Sequence, residues 1–279
     1  MNTKRIACFF TGGYTELNAM KRLMTKINNQ VQYIQLCPTG PRKNKENIRN
    51  RHVIEKINEN QNGLTGDALI NHVYEVIKRD RFKDEEYDAI IIEDDTDERF
   101  FKVQDDGTSV IDMDAWEQHK IDIKQHIFEL YHEIPVIFIY ASPEIEETWF
   151  LADWNNSFGK VYKNTLGNGE KFLSTEQNNY FSVQFHKYIK ENILTSRYEN
   201  CLEEYGYFNG SYFKLSEKIQ GAFITAEFLS EPLFDNVHDI LYYSKKLHGE
   251  DMLDSIDPHT IIRSCRAFYM GGMLELQNI

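Results

Sequence analysis

The stretch Asp88-Ala-Ile-Ile-Ile-Glu93-Asp94-Asp95-Thr96-Asp97-Glu98 sets an unbroken apolar run against five acids in six positions. Apolar residues without polar alternation describe a strand buried on both faces, as in a parallel sheet covered by helices. The acids fall where that strand ends. Carboxylates gathered at one partly dry point repel and raise one another's pKa. A hard divalent cation relieves the conflict, because Mg²⁺ and similar ions prefer carboxylate oxygens. The stretch therefore points to a metal site at the C-terminal end of a strand. A solvated acidic turn is the alternative that the same residues allow.

Working outward, Arg5 to Phe10 reads as a first strand. It is followed by the Gly12-Gly13 turn and a helix over residues 15–28, with Leu17, Met20, Leu23, Met24 and Ile27 at helical spacing. Residues 31–37 read as a second strand ended by Pro38, and residues 67–81 as a helix with Leu69, Ile70, Val73, Val76 and Ile77 inward. After the acidic strand, residues 99–112 form an excursion with turn chemistry at Asp105-Asp106-Gly107. A long helix over 114–132 and an apolar strand over 135–140 follow. Ser142-Pro143 has the cap-and-proline signature of another helix start. This alternation predicts an α/β fold with a mainly parallel sheet and helices on both faces. Ligands of such sheets sit beyond the C-terminal strand ends. Three segments then converge on one edge: the turn from Gly12 to Glu16, the acids of 93–98, and Ala141 to Glu147.

Beyond Trp154 strands become scarce and aromatics plentiful, as in Tyr205-Gly-Tyr-Phe-Asn-Gly-Ser-Tyr-Phe213. Helices are expected over 176–192, 214–230, 234–247 and 258–271. The last opens on Asp257-Pro258. The expected division is an α/β domain over 1–155 and a mainly helical extension over 156–279.

Composition bounds the function. The 279 residues carry 31 basic and 44 acidic side chains, a net charge of −13, with 41% hydrophobic residues. That supports a real core and supplies no broad basic footprint for DNA, although Arg42 to Arg51 is a local basic stretch suited to phosphate. The four cysteines form no Cys-x-x-Cys pair, which argues against a cysteine zinc site and a disulfide framework. No apolar run approaches a membrane span, and the short run Ile6 to Phe10 reads as a strand rather than a signal peptide. A cytoplasmic location is the default.

Individual residues carry the chemistry differently. Asp95-Thr96-Asp97 lets two carboxylates approach one cation from a turn. Glu93 and Asp94 are expected to face solvent. An EF-hand is excluded, because Arg99 stands at the fifth position counted from Asp95. Gly12 and Gly13 permit a tight turn and close approach to a ligand's phosphate at a helix start. Glu16 there also suits the helix dipole. Glu147 is the acid of its helix start chosen as functional, with Glu146 second. Lys245 and its neighbours suit phosphate neutralisation, and helix-end charge explains them equally.

In this order the three edge segments resemble the Toprim (topoisomerase–primase) fold. Gly13-Tyr-Thr-Glu16 resembles the glycine and second acid of that family's first motif, and Asp95-Thr96-Asp97 resembles its Asp-x-Asp. A closer resemblance is to bacterial Toprim-like proteins related to the OLD (overcoming lysogenisation defect) nucleases. It rests on Glu147-Thr-Trp149-Phe-Leu151-Ala-Asp153, on Tyr243-Ser-Lys245 with Gly249, and on Ile256-Asp-Pro258. The resemblance implies a Mg²⁺- or Mn²⁺-dependent nuclease of an anti-phage system working beside an ABC-type ATPase. Metal ligands would be Glu16, Asp95 and Asp97, with Glu147 as a further catalytic acid. Gly12, Gly13 and Lys245 would hold a DNA or RNA substrate, and a homo-oligomer is allowed. The family's glutamate just before the motif glycine is Gly12 here, which removes one metal position or the general acid/base. A degenerate, binding-only module is therefore the alternative. A Mn²⁺-dependent glycosyltransferase, which also uses Asp-x-Asp after an apolar strand, is a third.

Overall fold

The computed structural model describes residues 3–12, 18–39, 53, 63–97, 99–106, 109–132, 134–141, 146–150, 152–153, 155–157, 160, 245–263, 265 and 272–279. Four parallel strands form the main sheet: β1 (Arg5–Phe10), β2 (Gln32–Cys37), β3 (Ala89–Asp95) and β6 (Val136–Ala141), in the order β2-β1-β3-β6. The chain steps from β1 to β2 on one side, then crosses back over β1 to β3 and on to β6. Right-handed crossovers in opposite directions place their helices on opposite faces. Helix α1 (Ala19–Ile27) lies in the first crossover. Helices α2 (Gly66–Ile77) and α3 (Asp80–Lys83) lie in the second, and α4 (Met113–Leu130) in the third.

The core follows from this arrangement. Ala7, Phe9, Ile90, Ile92, Val136, Phe138 and Tyr140 pack beneath Val73, Val76, Phe82, Trp116, Ile123 and Ile127 of α2, α3 and α4. Burying each large apolar side chain contributes roughly 1.5–3 kcal/mol. The opposite face carries α1 through Met20, Leu23 and Met24, and the Tyr33 hydroxyl donates to the carbonyls of Met24 and Asn28. Helix α5 (Lys245–Ser255) packs on α1. There Arg22 pairs with Asp254 and Glu250, and Lys26 Nζ donates to the Ile256 carbonyl at 2.7 Å. Short helices α6 (Pro258–Ile261) and α7 (Leu274–Gln277) follow. At Gly272 (φ +141°) a Cβ would lie 2.3 Å from the Phe138 carbonyl oxygen, so only glycine lets the chain approach β6 this closely.

Three boundaries differ from the sequence reading. Strand β3 runs three residues beyond the apolar run and takes Glu93, Asp94 and Asp95 into the sheet, because β1 and β6 continue beside them. The helix expected over 67–81 divides where Arg79 adopts extended backbone and its guanidinium reaches the Val53 carbonyl. The excursion contains an antiparallel hairpin, β4 (Phe101–Val103) with β5 (Ser109–Ile111). The helices expected over 176–192 and 214–230 lie outside the described residues. The one over 234–247 is described only from Lys245, inside α5. At Asp257-Pro258 the expected cap is realised, with Asp257 accepting from the His259 and Thr260 amides; α6 ends at Ile261, and residues 266–271 of the expected helix lie outside the described residues. Among the described residues, no helix is long and apolar enough to cross a membrane. Cys8, Cys37 and Cys265 are buried, and burial pushes the Cys37 thiol up to about 12.

Candidate functional site

The reversal of strand order lies between β1 and β3, and the crevice beyond their carboxyl ends is where such sheets bind ligands. Phe10 registers with Glu93, Asp94 with Tyr140, and Asp95 with Ala141. The expected convergence of the three segments is thus met as far as they are described. Thr11 donates its amide to the Glu93 carbonyl, and Thr96 donates its amide to the Ala141 carbonyl at 2.8 Å. These two bonds tie the ends of β1, β3 and β6 together.

Strand geometry divides the acids. Successive side chains point to opposite faces, so Asp94 continues the row of Ile90 and Ile92 toward α2 and α4. Glu93 and Asp95 belong to the α1 face. Glu93 is fully buried and its Oε2 accepts the Thr11 amide at 3.1 Å. Asp94, 1% exposed, accepts the Gly66 amide at the N-terminus of α2 at 2.9 Å and pairs with the Arg99 guanidinium. The expectation that Glu93 and Asp94 face solvent is therefore corrected, and so is the reading of the whole stretch as a solvated turn. A buried strand end needs its carboxylates matched to donors, and a backbone amide, a helix N-terminus and an arginine supply them. Burial raises the Asp94 carboxyl above the usual carboxylate range, against the opposing pull of Arg99 and the Gly66 amide.

Arg99 also fixes the turn that follows. Its Nη2 donates to the Asp95 carbonyl at 2.6 Å and its Nε to the Thr96 carbonyl at 3.2 Å. The guanidinium lies 5.3 Å from the Phe100 ring centroid. Asp97 and Phe100 both sit in the left-handed region, at φ +48° and +63°. For a bulky residue such as phenylalanine that conformation is strained and has to be held by its surroundings. Phe100 stacks at 6.4 Å on Trp116 and meets Tyr140 edge-on. Neither the arginine staple nor this aromatic seat has a local sequence signal. The only hint was Arg99 itself, which the sequence reading used just to reject an EF-hand.

Two further acids of the stretch lie at the crevice in different settings. Asp95 is 8% exposed at the end of β3, and Asp97 is half-buried on the left-handed turn. Their hard oxygens fit a divalent cation chemically. Among the described residues, no three His, Cys, Asp or Glu side chains are grouped closely enough to hold one. Glu16 and Gly13 lie outside the described residues. Glu147 lies on a π-helical turn (Glu146–Phe150) after β6 and Lys245 opens α5, but neither side chain is among those described. Gly12 is described, with φ +93° and a carbonyl that accepts the Gly63 amide at 2.7 Å. That bond joins the β1 turn to the loop leading into α2.

The more distant motif residues come together structurally. Asp153, buried, accepts the Asp257 amide at 2.7 Å and both of its carboxylate oxygens accept from Asn156. Asp153 is therefore pinned to Asp257 at the start of α6. Trp149 and Phe150 are core residues. No protein-family model, curated protein or solved structure matches the chain.

Proposed function

We propose that the protein is a Mg²⁺- or Mn²⁺-dependent phosphodiesterase acting on DNA or RNA. The observation that carries the reading is the delivery of Asp95, with Asp97 beside it, to the carboxyl end of β3 at the reversal of strand order. Glu93 and Asp94 are meanwhile engaged by Thr11, Gly66 and Arg99. Asp95 and Asp97 would hold the cation, with Glu16 and Glu147 as further ligands or water-orienting groups. When bound, such an ion generates a nucleophile from water and stabilises charge on the phosphoryl oxygens. Gly12, Gly13 and Lys245 would hold the substrate backbone. The Toprim-like resemblance supports this reading and extends it to anti-phage defence in the cytoplasm beside an ABC-type ATPase; that extension is fold-level analogy.

Gly12 favours a second reading, a non-catalytic module of the same fold that binds a partner protein, because it stands where the resemblance expects an acid. Calorimetry with Mn²⁺, together with cleavage assays on DNA and RNA in Mg²⁺ or Mn²⁺, separates the two. The nuclease reading expects Mn²⁺ binding that Asp95→Asn with Asp97→Asn abolishes, and cleavage lost in the same variant. Weak or absent Mn²⁺ binding that the double variant does not change, with no cleavage, leaves the second reading. Binding of Mn²⁺ that depends on UDP replaces both with glycosyl transfer, and absence of Mn²⁺ binding overturns the metal site.

A further inference from the structure

Helix α4 places His119 against the turn that carries Asp95 and Asp97, yet none of the chemistry above uses it. Its ring lies 5.0 Å from that of Phe100 and 6.5 Å from that of Tyr140. The residue is half-buried, and its Nε2 is buried with no hydrogen-bond partner. The charged and titratable groups around it come from the turn and from four elements. Arg99 comes from the turn, Asp94 from β3, Asp67 from α2 and Asp122 from α4 itself. Tyr140 of β6 completes the set and stays protonated, since burial and Asp94 push its phenol far up.

A neutral imidazole suits this seat. Burial and the neighbouring guanidinium hold the His119 pKa below its ordinary value, against the pull of Asp94, Asp67 and Asp122. An imidazolium would bury an N–H without an acceptor and set a second cation beside Arg99, both of which cost free energy. Because the residue is only half-buried, leaving the seat needs no opening of the core. Phe100 depends on that seat. Its left-handed backbone is held by packing against His119, Trp116 and Tyr140, and it directly follows the arginine that staples residues 94–96.

We propose that His119 is a proton-operated latch on the turn carrying Asp95 and Asp97. The neutral ring seats on Phe100 and holds the turn; the imidazolium leaves for solvent and the turn loosens. The latch is a property of the metal-free protein. Its consequence, weaker divalent binding as pH falls, rests on the metal reading.

The test is metal-free. The His119 ring proton titration is followed by NMR, and amide exchange of residues 95–101, corrected for intrinsic rates, is followed across the same pH range in the full chain. The latch expects a His119 midpoint below about 6.5. It also expects at least a tenfold loss of protection at residues 96–101 tracking that midpoint, while amides of β1 and of residues 89–95 in β3 hold theirs. His119→Phe keeps a ring on Phe100 and removes the proton, so its turn should stay protected throughout. Constant turn protection across the wild-type titration overturns the proposal, as does equal loss in His119→Phe. If that variant does not fold, coincidence of the two wild-type midpoints decides. Absence of Mn²⁺ binding would sink the metal reading and leave the latch to stand or fall on these data.

Discussion

Replacing Arg99 with methionine removes the cation from Asp94 while keeping most of the side chain's length. Asp94 then remains 1% exposed with only the Gly66 amide to answer its charge, and the Asp95 and Thr96 carbonyls lose their guanidinium donors. Stripping one partner from a buried ion pair costs about 3–5 kcal/mol, mostly because the other charge stays buried. Against a typical total stability of about 5–15 kcal/mol, that is a large fraction. Asp94→Asn in the Arg99→Met background should restore at least about 1 kcal/mol, since an amide oxygen still accepts from Gly66 and no charge is buried. The pH dependence gives a second handle. Without Arg99 the folded-state pKa of Asp94 rises further above its unfolded value, so between the two values the folded chain binds more protons. The stability deficit of Arg99→Met should therefore shrink as pH falls from 7 toward 5. Urea unfolding of the four chains of the cycle at both pH values measures all of this. A deficit under about 1 kcal/mol, or no recovery on adding Asp94→Asn, would refute the buried-pair account.

Two further outcomes follow from other buried groups. His72, 6% exposed, faces Phe9, and burial, with Arg79 second, lowers its pKa to about 4. A depressed histidine favours the neutral folded state, so its contribution is complete above about pH 6.5 and falls away as pH drops toward 4, by roughly 3 kcal/mol. His72→Leu should flatten that part of the stability profile measured by urea unfolding, and an unchanged slope would contradict it. Asp153→Ala should cost about 2–3 kcal/mol through the lost Asn156 and Asp257 donors. It should also speed amide exchange at Asp257 selectively, and uniform acceleration across the sheet would argue against a local pin.

Much of the sheet was legible because its signals are local. Unbroken apolar runs at Ile6 to Phe10, Ala89 to Ile92 and Val136 to Tyr140 announce strands buried on both faces, and helical spacing announces α1, α2 and α4. The end of β3 was not legible. Nothing in Glu93-Asp94-Asp95 has strand propensity, and these residues are held extended by pairing with Phe10, Tyr140 and Ala141. Asp257 was read correctly as a cap because its partners lie two and three residues away. The role of Asp94 was missed because its two partners come from the start of α2, 28 residues earlier, and from across a strained turn.

The sequence by itself determined that carboxylates end a buried parallel strand, since both apolar run and acids are written consecutively in the chain. Only the tertiary structure decided what each carboxylate does. Alternation sends Glu93 and Asp95 to one face and Asp94 to the other. Strand order and crossover then supply the Thr11 amide for Glu93 and the Gly66 amide for Asp94, and the turn after β3 folds Arg99 back onto Asp94. A buried charge takes its meaning from the donors within hydrogen-bonding reach. In this fold those donors are set by strand order, by crossover and by the strained turn after β3, and the acidic stretch does not contain that information.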